Sequence, residues 1–424
     1  MKLPDNDLKI LQMFKSLLKK FKRIALTQIK KVRYLLSLVE IIKFQKEINK
    51  KKQSYKIIAL VMSNAGQQQF FEDIYRLAVK NNHRYYFFLV NDCYVNDDEK
   101  IDLFRPLKFI TQNIYQCITG VNIALHAEIY CRSWNVKDVC YIGHGFPGKH
   151  TKWSVENLSS FNHYFLYGPR DRDILSFITK DNPDCISHIK FWEVGYPKYD
   201  AQLNDSYKDE ALGKKLGLDP SRNTILFAPA WDPGGALRKY GFELLDKFGN
   251  MRGSNVIIKL HPASLVSKLS KDYEFYTGGI NWAQALEDIS EKYNNIYVYQ
   301  MQKINPLFKL ADVLVTDFSG VAMGFFIEDK PVVCIDCPEY YESILPSWGQ
   351  DGELSKSNDL FNNGRDASYL VENINSLEGV INYSLANRDE MSPARKKIAS
   401  DLLYNPGEGA AHTLSAINEI LESK

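Results

Sequence analysis

One local pattern recurs along the chain: a short, strongly apolar, β-rich run stops at a cluster of Gly, Pro, Ser or Asn and gives way to helical spacing. Lys56-Ile57-Ile58-Ala59-Leu60-Val61-Met62 ends in Ser63-Asn64-Ala65-Gly66, a helix-patterned stretch runs from Phe70 to Ala78, and Tyr85-Tyr86-Phe87-Phe88-Leu89-Val90 follows. Runs that are apolar at consecutive positions, without alternation, belong to strands covered on both faces, and such parallel strands need crossover helices between them. The spacing predicts a βαβ unit, with further strands within 120–129 and 139–142. A second series begins after the polar, turn-rich stretch 201–222, with β-rich runs at 224–228, 255–259, 295–299, 313–316 and 332–335. Five strands in βα alternation predict a second doubly wound sheet, with ligands expected at the carboxyl ends of its strands.

The chain has 424 residues, too many for one compact core. We therefore expect an α/β protein of two Rossmann-like, doubly wound domains facing each other across a cleft. Residues 56–205 form the first domain and residues 206–424 the second, and an additional segment, residues 1–55, precedes both.

That leading segment carries the charge asymmetry. The net charge is only +2, yet residues 1–55 hold fifteen Lys/Arg against four Asp/Glu. Between Leu11 and Val39 the apolar residues Leu11, Phe14, Leu18, Phe21, Ala25, Val32, Leu35 and Val39 recur at helical spacing with lysines and arginines between them. An apolar stripe flanked by cations suits a helix lying in the headgroup layer of an anionic membrane. The plainer alternative is a helix docked on the protein's own core with a solvated basic face. Nucleic acid is not indicated, because no recognised binding motif accompanies the charge. A secretory leader and an apolar run long enough to span a bilayer are both missing from the sequence, so the expected location is cytoplasmic, at the inner face of the membrane. Seven cysteines, odd in number and without framework spacing, read as reduced thiols. The Cys334-Ile335-Asp336-Cys337 pair, at the end of an apolar run, reads as buried strand thiols.

Three short stretches carry residues suited to chemistry. Tyr141-Ile142-Gly143-His144-Gly145-Phe146-Pro147-Gly148-Lys149-His150 follows a strand; Gly143 and Gly145 let the backbone approach a ligand, and the imidazole of His144 can take a proton near neutral pH. A tight turn with incidental polar residues is the alternative. The same run matches GxGxxG and nearly matches a P-loop, but Pro147 stiffens it, no strong helix pattern opens after Lys149, and the run lies far from the first βαβ unit. Ile257-Ile258-Lys259-Leu260-His261-Pro262 ends a strand with a cation and an imidazole where a doubly wound sheet presents its ligands. Ala311-Asp312-Val313-Leu314-Val315-Thr316-Asp317-Phe318-Ser319-Gly320 reads as strand, turn and helix start; Asp317 or Ser319 caps the helix, and its free N–H groups with the Ser319 hydroxyl would cradle a phosphate. The remaining histidines, His83, His126, His163, His188 and His412, lack metal-ligand spacing, and no GxSxG elbow is present.

In order, Gly143-His144-Gly145-Phe146-Pro147, Gly195-Tyr196-Pro197-Lys198-Tyr199-Asp200, Ile225-Leu226-Phe227-Ala228-Pro229-Ala230-Trp231, Lys259-Leu260-His261-Pro262 and the run from Ala311 to Gly320 resemble the CDP-glycerol glycerophosphotransferase family of teichoic acid and capsule polymer synthesis. The resemblance implies a GT-B-like fold and transfer of an alditol phosphate from a CDP-linked donor to a hydroxyl of a membrane-held polymer. It implies no tightly bound cofactor and leaves a divalent ion and the oligomeric state open. By the same resemblance His144 would be the general base and His261 would stabilise the donor phosphate or leaving group. Thr316, Asp317, Ser319 and Gly320 would lie along the diphosphate, with Gly143, Gly145, Lys149, Lys259 and Arg238 completing the substrate contacts. Where the family usually shows Asp-Tyr-Ser-Ser and then an acidic residue, this chain has Asp317-Phe318-Ser319-Gly320 and then Val321-Ala322-Met323-Gly324-Phe325. The departure leaves the donor open among CDP-glycerol, CDP-ribitol, another alditol phosphate and an ordinary sugar nucleotide. A GT-B glycosyltransferase using a sugar nucleotide and a non-catalytic membrane scaffold are the alternative readings.

Overall fold

The computed structural model describes residues 37–91, 101–146, 155–204, 206, 210–301 and 303–423. Seven strands form the first sheet: β1 (Lys56–Val61), β2 (Tyr85–Asn91), β3 (Phe109–Thr111), β4 (Ile123–His126), β5 (Asp138–Tyr141), β6 (His163–Leu166) and β7 (Lys190–Glu193). Six form the second: β8 (Asn223–Phe227), β9 (Ser254–Ile258), β10 (Ile296–Val298), β11 (Val313–Thr316), β12 (Val332–Ile335) and β13 (Tyr369–Val371). Their orders are β3-β2-β1-β4-β5-β6-β7 and β10-β9-β8-β11-β12-β13. All the pairings are parallel. Strand order reverses beside β1 in one sheet and beside β8 in the other, which opens a crevice at the carboxyl ends between β1 and β4 and between β8 and β11.

Strand β1 shows why these runs become central strands. Ile57, Ala59 and Val61 face one way, into a core with Phe44, Ile48, Phe88 and Val90, while Ile58 and Leu60 face the other, against Phe71, Ile74, Leu414 and Ile417. Every residue from Ile57 to Val61 is buried, as a strand covered on both sides demands.

The last two of those partners come from the end of the chain. Helix Gly409–Glu422 crosses back and packs on helix Glu72–Lys80 beneath the first sheet. A linear division at residue 205 assigns this helix by its place in the sequence, whereas its packing ties it to the first sheet. The crossing is secured by the Gly195–Asp200 run. The Asp200 carboxylate accepts from the backbone N–H groups of Gly409 (2.9 Å) and Ala410 (2.7 Å), capping the returning helix. Gly195, at φ +87°, lies so close to the Tyr404 carbonyl that a Cβ would overlap it.

A helix over residues 37–51 precedes β1. Its Phe44 and Ile48 are buried in the first core, with the Phe44 ring 5.1 Å from that of Phe88, while Leu38, Val39 and Ile42 point outward and are exposed. Docking on the protein's own core therefore holds for this part. The basic stripe expected from Leu11 onward lies outside the described residues as far as residue 36. Among the described residues no helix is long and apolar enough to cross a membrane. Cys334 and Cys337 are buried free thiols, in line with the strand reading of the CxxC pair.

Candidate active site at the domain junction

The turn after β5 presents His144. Gly143 takes φ +68°, and a Cβ there would overlap the Tyr167 hydroxyl, which donates to the Ile142 carbonyl. The first glycine is therefore fixed by local geometry. Gly145 has open space where a side chain would stand. The imidazole is about half-exposed, at 45%, and its Nδ1 lies 2.7 Å from the Ala127 carbonyl oxygen. A carbonyl only accepts, so Nδ1 carries the proton and Nε2 of the neutral ring holds the lone pair.

Beneath the ring stands a residue that the sequence reading passed over. Glu128 follows the tip of β4, and its Oε2 lies 3.7 Å from His144 Nδ1. The carboxylate is buried and held in place: Oε1 accepts from its neighbour Ile129 N–H at 2.8 Å, and Oε2 accepts from Gln67 Nε2 at 3.2 Å. Gln67 is fixed in turn by accepting the Ser63 N–H at 2.8 Å. The Glu128 carboxylate thus stands on the Nδ1 side of the ring, held there by its own partners. The signal for Glu128 was present, but a strand drawn through Ile129 hid the fact that β4 stops at His126 and leaves this carboxylate at a carboxyl tip.

His261 sits at the corresponding tip in the second sheet, two residues beyond the end of β9, and it has the opposite arrangement. Its Nδ1 accepts the Ala263 N–H at 3.1 Å, so the proton of the neutral ring resides on Nε2. Trp231, after β8, has its ring centroid 6.4 Å from His261, 5.7 Å from Phe275 and 5.1 Å from Tyr276, and the four rings form one aromatic wall. Lys259, just past β9, is buried, and burial pulls its ammonium down to about 8.

The turn after β11 divides into struts and surface. Thr316 is fully buried and donates its hydroxyl to the Ala228 carbonyl at 2.7 Å, so it has no surface to offer a diphosphate. Asp317 is also buried. Its carboxylate accepts from Ala230 N–H (2.9 Å), Ala236 N–H (2.9 Å) and Ser319 N–H (3.2 Å). It therefore shapes the β8 loop and its own turn from within, in place of the donor contact expected of it. Ser319 and Gly320 are the partly exposed members of the turn. Gly320 has no heavy atom closer than Asn363 Oδ1, 4.0 Å from where a Cβ would be, so the missing family serine leaves room. Gly324 has another reason to be small, since a Cβ there would overlap the Tyr199 hydroxyl. Arg238 braces the wall from behind, with Nη1 donating to the Phe275 carbonyl at 3.0 Å, and Lys149 lies outside the described residues.

Comparison with known proteins accords with this geometry. Residues 185–342 match the family model described as CDP-Glycerol:Poly(glycerophosphate) glycerophosphotransferase. A teichoic acid poly(glycerol phosphate) polymerase of Staphylococcus epidermidis is 31% identical over 147 residues, 33% of this chain and 18% of that protein. A teichoic acid glycerol-phosphate transferase of Staphylococcus aureus is 21% identical over 174 residues, 39% of each chain. The chain thus spans well under half the length of either relative. In fold, the wall teichoic acid polymerase TagF superposes at a TM-score of 0.60 with 13% identity, covering 93% of this chain and 98% of that one. A putative UDP-N-acetylglucosamine 2-epimerase from Listeria monocytogenes reaches 0.53 with 12% identity, covering 87% and 98%. In sequence across residues 185–342 the chain resembles the CDP-glycerol glycerophosphotransferases, and in fold across nearly its whole length it resembles the wall teichoic acid polymerase TagF.

Proposed function

We propose that the chain transfers an alditol phosphate from a CDP-linked donor to a hydroxyl of a cell-envelope polymer, with His144 as general base and His261 as electrophilic donor. The observation that carries this reading is the pair of opposed tautomers: the lone pair of His144 and the N–H of His261 are both fixed by backbone partners. Transfer of this kind needs one of each. The acceptor oxygen forms a bond to the phosphorus bearing the alditol while its proton passes to His144 Nε2. The bridging P–O bond to the cytidine phosphate breaks, and the leaving oxygen gathers charge that an Nε2–H of His261 can meet. Glu128 stands on the Nδ1 side of His144, and the aromatic wall around Trp231 gives a nucleobase a face to stack on. The space beside Gly320 admits a donor group larger than the family serine would allow.

The test is product analysis with purified protein, CDP-glycerol and a glycerol phosphate oligomer. Release of CMP with lengthening of the oligomer is expected. Release of a nucleoside diphosphate from a sugar nucleotide would put a glycosyltransferase in its place, and absence of nucleotide binding would leave a scaffold. We further propose contact with the inner membrane surface through residues 1–55, supported by their charge and by the outward Leu38, Val39 and Ile42. Co-sedimentation with phosphatidylglycerol vesicles but not with neutral ones is the expected result, and equal sedimentation with both would refute electrostatic attachment.

A further inference from the structure

The Gly195–Asp200 run contains one group that its structural duties leave over. Asp200 caps the returning helix, Tyr199 fits against Gly324, and Tyr196 stacks on Tyr167 with ring centroids 3.8 Å apart. Lys198 does something else. Its ammonium lies 5.1 Å from the centroid of the Phe70 ring and 5.8 Å from that of Tyr199. Phe70 is also the ring that stands edge-on to the His144 imidazole, at 6.1 Å. One aromatic ring thus has the candidate base on one contact and a lysine on another.

The second half of the molecule brings its own cations to this place. Lys303, in the loop after β10, pairs with Glu72 of the first half at 2.7 Å, two residues from Phe70 in the sequence. Phe70, Tyr196 and Tyr199 of the first half and Tyr299 of the second share one buried cluster. Lys259 stands two residues before His261. Burial, followed by the charges of Lys259 and Lys303, pulls the Lys198 ammonium down to about 8. Three lysines from three segments therefore converge on the junction.

Their neutralisation is incomplete. Glu72 serves Lys303 and also Arg76, at 2.9 Å. Among the described residues, no carboxylate lies within ion-pair distance of Lys198 or Lys259, and neither ammonium has a hydrogen-bond acceptor. Lys259 is buried and Lys198 partly so, and drawing an ammonium away from water without a counter-ion costs up to several kcal/mol, the more so the deeper the burial. A fold retains such groups where a ligand supplies the missing anion.

We propose that Lys198 and Lys259 form a two-sided clasp, one lysine from each half, for a phosphate group held between His144 and His261. This rests on the reading above only in its choice of ligand: the phosphate belongs to the donor's diphosphate or to the phosphate of the acceptor's end. Lys303, already paired, sets the position of the second half against the first.

The experiment is calorimetric titration of the full chain and of its Lys198→Met, Lys198→Arg and Lys259→Met variants with inorganic pyrophosphate and with glycerol 3-phosphate. Loss of a charge-assisted bond to phosphate should weaken binding about tenfold or more in each Met variant, with Lys198→Arg close to wild type. Weakening confined to pyrophosphate assigns the clasp to the donor; weakening confined to glycerol 3-phosphate assigns it to the acceptor. Affinities within twofold of wild type for both anions in a folded Lys198→Met protein overturn the clasp, as does failure of wild type to bind either. Should Lys198→Met not fold, Lys198→Gln carries the same comparison against Lys198→Arg. CMP release from CDP-glycerol separates this outcome from that of the function. Lysine-dependent anion binding without CMP release keeps the clasp and sinks the alditol-phosphate reading; CMP release with anion affinity unchanged in Lys198→Met does the reverse.

Discussion

Asp317 offers the sharpest test of how the loop after β8 is held. Its carboxylate accepts three backbone N–H groups, two of them on Ala230 and Ala236, which are themselves buried. A hydrogen bond to an ionised group contributes about 1.5–3 kcal/mol, and a buried donor left without a partner keeps its desolvation cost. Asp317→Ala should therefore weaken local protection of the 228–236 loop by about 3–5 kcal/mol, at the upper end of single-residue effects. Amide hydrogen exchange reads this directly and does not require the two domains to unfold together. Since about 1.4 kcal/mol corresponds to tenfold, the Ala230 and Ala236 amides should exchange at least 100-fold faster in Asp317→Ala. Asp317→Asn gives the finer test. Oδ1 accepts from Ala230 and Ser319, while Oδ2 accepts from Ala236. The amide that keeps two bonds and loses one turns its NH2 toward Ala236, so the Ala236 amide should accelerate far more than that of Ala230. Equal acceleration of both, or no change in either variant, would refute the strut assignment.

Other substitutions and conditions separate the remaining roles. His144→Ala should abolish turnover while leaving donor affinity within about threefold, whereas His261→Ala should weaken donor binding about tenfold as well, because only the second removes a donor to the phosphate; equal effects on binding in calorimetry would contradict the division. Gly320→Ser should leave the melting temperature unchanged, since its Cβ enters open space, while Gly324→Ala should cost about 1–3 kcal/mol by driving a methyl into the Tyr199 hydroxyl; thermal melts of the two variants decide it. Phosphate affinity should fall as pH rises through about 8, where Lys198 and Lys259 lose their protons. With about nine-tenths of each lysine charged at pH 7 and about a thirtieth at pH 9.5, binding should drop by up to about 30-fold per lysine, and a flat calorimetric profile over that range would exclude both from the anion site. The sign for stability is opposite. The unfolded lysines still bind protons between about 8 and 10.5, so folding is favoured as pH rises through that window.

The strands legible in the sequence were mostly those whose burial is two-sided. β1, β2, β4, β5, β8, β9, β11 and β12 lie in or near sheet centres, where consecutive apolar residues are required; β10, at the edge of the second sheet, is the exception. Those missed are mostly edges. β3 and β13 have three residues each, and β7, Lys190-Phe191-Trp192-Glu193, holds two partly buried aromatics between exposed charged ends, so none presents a long apolar run. β6 carries only three buried residues, Tyr164, Phe165 and Leu166, behind a histidine. The crossing of the final helix was not legible at all, because the N-terminal cap that Asp200 supplies comes from about 210 residues away in the sequence.

The site shows a different limit. A motif marks residues that must be what they are, but it does not say whether they face the ligand or the protein. Thr316 and Asp317 stand in the most family-like turn of the chain, yet one is spent on the Ala228 carbonyl and the other on three amides. The converse holds for Lys198, whose neighbours Tyr196, Tyr199 and Asp200 all serve packing, so that the run looks structural as a whole. Strands alternate their side chains and turns do not, so within a loop at a carboxyl tip adjacent residues can divide between scaffold and ligand without any periodic sign. The two histidines were legible because a ring nitrogen has a use in either direction. Which direction each takes is set by a carbonyl of Ala127 and an amide of Ala263, and a backbone partner leaves no mark in the identity of the residue that carries it.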